Sequence, residues 1–352
     1  MTTKNEVLKA LSKVNDPEIG KDLVTLGMIS DIEIKNGEVE FKITLTTPAC
    51  PLKKEIQEEA TKAVMEIQDV EKVDIKWGSQ VRTSLSIPDP SKPLEIKNII
   101  AVASGKGGVG KSTMSVYLAL ALNSTGAKVG ILDADIYGPS IPTMMGVNEK
   151  PVSDGKMIQP INKYDLKLMS MGFISGDKPV IWRGPMLAGA IRQFVYDVKW
   201  GDLDYLVVDL PPGTGDASLS LAQMIPLTGV VIVTTPQDAA LGTATKALHM
   251  FKNLNVKILG LIENMSYFEC PTCKTETNIF SHGGGKNASQ KEDVEFLGSI
   301  PIDTEIRTSM DIGKPLIIQN LESEVSVQFI DMAKRLAGKI SIEAFRALPV
   351  IE

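Results

Sequence analysis

Ala101-Val-Ala-Ser-Gly-Lys-Gly-Gly-Val-Gly-Lys-Ser-Thr113 contains the pattern Gly-x-x-x-x-Gly-Lys-Ser, and its flanks decide the fold. Upstream, Ile99 to Ala103 is an apolar run of strand length; downstream, Met114 to Leu122 reads as the start of a helix. Strand, loop and helix in that order are the context a phosphate-binding loop requires. Without Cβ atoms, Gly105, Gly107, Gly108 and Gly110 let successive backbone N–H groups turn inward. Those donors and the helix N-terminus make an anion site. Lys111 is placed to reach β- and γ-phosphates, and the Ser112 hydroxyl to ligate Mg²⁺. The residues alone predict nucleotide binding.

Outward from the loop, apolar strands alternate with helical stretches. Val129–Asp133, Tyr205–Leu210, Gly229–Thr234 and Ile258–Asn264 join Ile99–Ala103 as predicted strands. Such alternation predicts an α/β fold, a mostly parallel, doubly wound sheet with helices on both faces. Ligands bind at the carboxyl ends of such strands. Asp133 and Asp135 in Leu132-Asp-Ala-Asp135 follow one strand, and Asp209 ends another before Pro-Pro-Gly-Thr-Gly-Asp216. The first 88 residues differ in pattern and predict a small α+β domain. They comprise helices at Glu6–Val14 and Lys53–Ile67, a hairpin of Ile29–Lys35 and Glu38–Thr46 about Asn36-Gly37, and a strand at Val70–Trp77. The Pro-rich stretch beginning Ser86-Ile-Pro-Asp-Pro predicts a linker over 89–97, leaving 98–352 to the nucleotide-binding domain.

Composition narrows the class. Thirty-seven basic against 43 acidic residues give a net charge of −6, which disfavours nonspecific nucleic-acid binding. No apolar run spans a bilayer, and three cysteines do not form a disulfide framework. No nucleic acid, no membrane and a cytoplasmic location are the expectations.

Gly105-Lys-Gly-Gly-Val-Gly-Lys-Ser-Thr113, with its extra lysine, resembles the deviant phosphate loop of the MinD, ParA and nitrogenase iron protein family. The resemblance implies a dimer closed around ATP. Lys106 would reach the partner's nucleotide, and Asp135 would orient the attacking water with Asp133 in support. Nucleotide contacts would come from Gly105, Lys106, Gly107, Gly108, Val109, Gly110, Lys111, Ser112 and Thr113. Asp209 would hold the Mg²⁺ shell, and Asn264 would contact the adenine ring.

Cys270-Pro-Thr-Cys273 lets two sulfurs face one metal. A redox dithiol and ordinary thiols are the competing readings. Metal and Fe–S sites usually want four ligands, the third cysteine is the distant Cys50, and a symmetric dimer would supply four thiolates. His282 lies close enough in sequence to be a remote ligand candidate; His249 reads as structural.

With Asp-Ala-Asp-Ile-Tyr-Gly-Pro-Ser140, Trp182-Arg-Gly-Pro-Met186, Thr235-Pro-Gln-Asp238 and Gly283-Gly-Gly285 added, residues 97–352 resemble the Mrp/ApbC iron–sulfur cluster carriers. The resemblance implies an ATPase homodimer that carries a labile cluster, expected as [4Fe–4S], from a scaffold to apo-proteins. Asp16-Pro-Glu18, Leu26-Gly27 and Leu45-Thr-Thr-Pro-Ala-Cys-Pro51 resemble the SufT-like domain of iron–sulfur assembly proteins. Cys50 lies in a Pro-flanked loop before a predicted helix, and two readings stand level: a thiol whose pKa the helix N-terminus lowers, and an inert buried thiol. The functional alternatives are a MinD- or ParA-like spatial organiser and a nitrogenase-type electron donor. A C-terminal tail with one arginine, two glutamates and a proline disfavours the membrane-bound organiser.

Overall fold

The computed structural model describes residues 2–85, 94–175 and 184–346, so most of the Pro-rich stretch, Trp182-Arg183 and the end of the tail lie outside it. Two compact units emerge, Met1–Arg82 with Ala337–Glu352, and Thr83–Leu336.

In the smaller unit, Thr3 caps the helix Lys4–Leu11 through a reciprocal box with Glu6. Strands Ile29–Lys35 and Glu38–Leu45 pair antiparallel about Asn36 (φ 48°) and Gly37 (φ 83°), the left-handed pair that a tight hairpin turn requires. After the helix Lys53–Met65, strand Lys72–Ser79 adds parallel to Glu38–Leu45, giving a three-stranded sheet. Val39, Phe41, Ile43 and Leu45 alternate inward, and Ile56, Ala60 and Val64 recur at helical spacing to meet the same core.

The end of the C-terminal helix Glu324–Arg346 groups with this smaller unit, whereas the sequence had carried the larger domain to 352. Side-chain contacts explain the difference. Phe345 packs on the small core and takes the Arg82 guanidinium 4.2 Å above its ring. A Cβ at Gly338 would lie 2.6 Å from a Glu18 carboxylate oxygen.

The larger unit is built on an eight-stranded sheet. Its order is Phe296–Ser299, Ile258–Glu263, Gly229–Thr234, Ile96–Ser104, Leu203–Asp209, Val129–Asp133, Leu166–Ser170 and Ile161–Lys163. All neighbours are parallel except the last pair. The five predicted strands form the contiguous centre of this sheet; the three others, Leu166–Ser170 and Ile161–Lys163 at one edge and Phe296–Ser299 at the opposite edge, carry patterns too weak or short to be read in the sequence. The strand beginning at Ile96 also starts inside the stretch read as linker.

Ile96–Ser104 is where the strand order reverses: the chain continues to one side through Val129–Asp133 and later to the other through Gly229–Thr234. That is the position at which such sheets bind ligands. The helix after the loop, Lys111–Ser124, is buried on all sides from Met114 to Leu122, which explains its uniformly apolar sequence. Among the described residues, no helix is long and apolar enough to cross a membrane.

Candidate functional site

Three strand ends converge under the loop. Asp209 lies in register with Val102 on one side and with Asp133 on the other, so two carboxylates and the loop's own strand end at one level. Burying two carboxylates there demands compensation.

Asp209 obtains it from the helix above. Ser112 Oγ donates to its Oδ2 and Ser115 Oγ to its Oδ1, both at 2.6 Å, while Lys111 Nζ stands 2.7 Å from Oδ2. Ser115 was missed by the sequence reading. Its signal was its spacing: four residues after Lys111 it returns to the same helix face. Asp133 is fully buried, accepting from Ser170 Oγ at 3.0 Å and from the backbone N–H groups of Asp135 and Ile141 at 3.2 Å. Burial, and after it the charge of Asp209, pushes its carboxyl up to about 7. Asp133 thereby ties both ends of the loop that carries Asp135. Asp135 accepts the Tyr137 N–H, and its Oδ2 lies 3.5 Å from Lys111 Nζ.

The loop lines a cavity of about 190 Å³ together with Asp135, Ser140 and Pro212; Lys106, Gly107, Gly108, Gly110, Lys111, Ser112 and Thr113 all face it. Gly108 and Gly110 have φ values of 80° and 81°, the left-handed conformation that glycine adopts without strain. Gly105 serves packing: a Cβ there would lie 2.2 Å from the Thr243 backbone. Val109 is buried, and its carbonyl accepts a 2.9 Å hydrogen bond from Asn264 Nδ2. The Asn264 amide therefore rests directly on the loop backbone.

The cysteines occupy a separate surface. Phe268–Glu269 and Glu276–Thr277 form a two-stranded hairpin, and Cys270 to Thr275 make its turn. Cys270 N–H donates to Thr275 O, Lys274 N–H donates to Cys270 O, and Lys274 adopts φ 58°. Cys273 is exposed and Cys270 half-buried. The Thr275 hydroxyl, 3.3 Å from Cys273 Sγ, leads a set of contacts, with the Thr275 backbone and Cys270, that lowers the Cys273 thiol to about 7. Among the described residues, no group of three or more His, Cys, Asp or Glu side chains is placed to hold a metal ion. His282 is accordingly not assembled with the cysteines; its Nδ1 lies 3.0 Å from Ser266 Oγ. His249 pairs with Glu292 at 2.7 Å on the surface.

Of the two readings of Cys50, the structure supports the buried thiol. Its thiol is pushed up to about 11, because burial outweighs the N–H of Leu52 and because the Glu18 and Asp16 carboxylates add negative charge. The helix N-terminus does not make it a thiolate.

A buried lysine, two hydroxyls and strand-end aspartates around a glycine-rich loop at the sheet's switch point define a P-loop NTPase. Residues 95–337 match the model of the NUBPL iron-transfer P-loop NTPases, and residues 4–77 that of an iron–sulfur cluster assembly protein domain. An iron–sulfur cluster carrier protein of Synechocystis is 48% identical over 98% of this chain and 99% of its own. The Escherichia coli carrier is 40% identical over 95% and 91%. The chain belongs to this iron–sulfur cluster carrier family. Among solved structures, a nucleotide-binding protein of Archaeoglobus fulgidus in complex with ADP superposes with TM-score 0.58 at 40% identity, over 65% of this chain and 90% of that one. MinD of Pyrococcus furiosus shares the fold at TM-score 0.53 and 21% identity, over 68% of this chain and 97% of that one.

Proposed function

We propose that this protein is an ATPase whose homodimer carries a labile iron–sulfur cluster between subunits and delivers it from a scaffold to apo-proteins. The observation that carries the reading is the Cys270/Cys273 pair on one hairpin turn, Cys273 exposed and Cys270 half-buried, which offers two thiolates with no third ligand group beside it among the described residues. Clusters want four ligands, and a two-fold axis supplies the second pair. Such a site gives up its cargo when the subunits part, because half the coordination leaves.

Lys111 neutralises the β- and γ-phosphates, and Lys106, which lines the same cavity, reaches the nucleotide of the partner subunit. Asp135 orients the attacking water beside Lys111. The Ser112 hydroxyl and the Asp209 carboxylate, already 2.6 Å apart, are hard oxygen donors suited to Mg²⁺. That ion would neutralise phosphate charge. Asp209 also fixes the Ser112 and Ser115 hydroxyls, which sets the first turn of the helix under the phosphates.

Anaerobic reconstitution with iron and sulfide tests the proposal. A cluster signal by absorption and Mössbauer spectroscopy, confined to the dimer and transferable to an apo-acceptor, is expected. Full metal loading on a monomer would sink it.

A further inference from the structure

Glu263 is a carboxylate at the end of an apolar strand, fully buried, with no cation against it among the described contacts. Its Oε1 accepts Ser266 Oγ at 2.5 Å and the Gly283 N–H at 3.1 Å, and its Oε2 accepts the Gly285 N–H. It thus serves as the anion at the start of the helix Gly284–Lys291. Because the Ser266 hydroxyl proton is committed to Glu263, Ser266 can only accept from His282, which makes His282 Nδ1 the donor.

The adjacent residue faces the other way. Asn264 donates to Val109 O in the phosphate loop, and its Nδ2 fills the space a Cβ on Gly110 would take, 2.2 Å away. Between these two commitments the chain takes a left-handed step at Met265, φ 54°, a conformation unusual for a long side chain. Such backbone persists only where its surroundings over-determine it. Past Ser266, Tyr267 O accepts the Ile302 N–H at 2.7 Å, and Phe268 opens the cysteine hairpin. Four residues, 263–266, therefore connect the nucleotide loop, the glycine-rich 283–285 turn and the base of the hairpin.

We propose that Glu263, Ser266 and His282 are positioning residues that couple the state of the nucleotide loop, sensed through Asn264, to the geometry of the Cys270/Cys273 turn. The idea deepens the proposed function and takes its purpose from it: nucleotide would alter how the thiolates are presented to the cluster. A rigid joint transmits; a loosened one does not. Ser266→Ala and His282→Ala break the side-chain relay, and Met265→Gly keeps the side chains but frees the backbone step. His282→Asn retains a donor nitrogen near the Nδ1 position.

The test is the rate at which iodoacetamide alkylates Cys273 in the full-length protein without cluster, with and without saturating Mg–ATP. In the unsubstituted protein, nucleotide should change the rate by at least about fivefold, the lower end of ordinary coupling energies. In Ser266→Ala, His282→Ala and Met265→Gly, the ratio should fall towards one while ATP affinity, measured in parallel, is retained. His282→Asn should restore most of the response. A merely structural role would lower stability without erasing the nucleotide ratio. An unsubstituted protein that is indifferent to Mg–ATP overturns the coupling, and a full response in the exposed-site variant His282→Ala overturns the relay. Iron loading of the same samples separates the two ideas. A nucleotide response with no iron at the cysteines leaves the relay standing and sinks the cluster reading; iron binding with no response does the reverse.

Discussion

Lys111 Nζ stands 2.7 Å from Asp209 Oδ2, with both side chains withdrawn from solvent. The lysine has two tasks. It compensates a fully buried carboxylate at the floor of the site, and it faces the cavity in which phosphates would lie. A bound nucleotide would thus share one cation with Asp209, whose carboxylate the Ser112 and Ser115 hydroxyls hold in place.

Lys111→Ala should therefore lose stability as well as nucleotide. Removing one partner of a buried pair typically costs about 3–5 kcal/mol. ATP affinity should fall at least about 30-fold, the lower end of what losing a buried charge contact costs. Asp209→Ala should also destabilise, and the double variant should lose less than the sum of the singles, because neither leaves the other's charge stranded. Thermal unfolding and calorimetric ATP titration of the four proteins check this; strict additivity would show that the pair is not coupled.

Lys106 and Asp135 line the same cavity but should fail differently. Lys106→Ala should bind ATP yet not dimerise on binding it, read by scattering or ultracentrifugation. Asp135→Ala should bind ATP and dimerise but turn over roughly 100-fold more slowly, the lower range for loss of a group that handles the attacking water. Unchanged turnover would leave Asp135 as a residue that holds the Tyr137 N–H and faces Lys111, with no part in turnover.

Most of the residues gathered round the cavity are legible in the sequence because they sit where a strand stops or a loop passes into a helix, whereas Ser115, a turn further into the helix, is not. Asp133, Asp209 and the glycines of the loop are marked by the apolar runs before them. Glu263 carried a comparable signal, one glutamate closing Ile-Leu-Gly-Leu-Ile, but its partners Ser266, Gly283 and Gly285 are fixed only by tertiary folding. Sequence alone leaves Cys50 open between two readings for a related reason. A helix start is visible in sequence, whereas the burial that raises the thiol, and the approach of Glu18 and Asp16, are not. The edge strand Phe296–Ser299 escaped because four residues including a glycine carry too little pattern.

Cysteine chemistry gives a pH test with a definite sign. Cys273, lowered to about 7, is mostly thiolate above that pH and mostly thiol below it, whereas Cys50, raised to about 11, stays protonated through the neutral range. Since the thiolate is the nucleophile, alkylation at Cys273 should rise through pH 7 and level off above it, with Cys50 slow at pH 8. Thr275→Val removes the leading stabilising contact, so the Cys273 midpoint should move upward. Peptide mapping after timed iodoacetamide pulses reads both sites. Equal rates at Cys50 and Cys273 at pH 8 would contradict the assignment.

The proposed bridging cluster makes the sharpest demand on stoichiometry. Each subunit offers Cys270 and Cys273 on one hairpin turn, with no further ligand group beside them among the described residues. A four-thiolate site then holds about one cluster per two chains. Replacing either cysteine with alanine removes two of its four ligands, because the change appears in both subunits. Iron, sulfide and transfer to an apo-acceptor should collapse in Cys270→Ala and in Cys273→Ala alike. ATP binding should survive in both, since the phosphate loop and the hairpin share no side chain among the residues that line the cavity. Cys50→Ala should keep its cluster, because that thiol is raised rather than poised for ligation. Zinc is the rival occupant, as tetrahedral thiolates suit both metals; sulfide analysis separates them. Iron retained at the unsubstituted level in Cys270→Ala, or lost in Cys50→Ala, would move the cluster away from the two-fold axis.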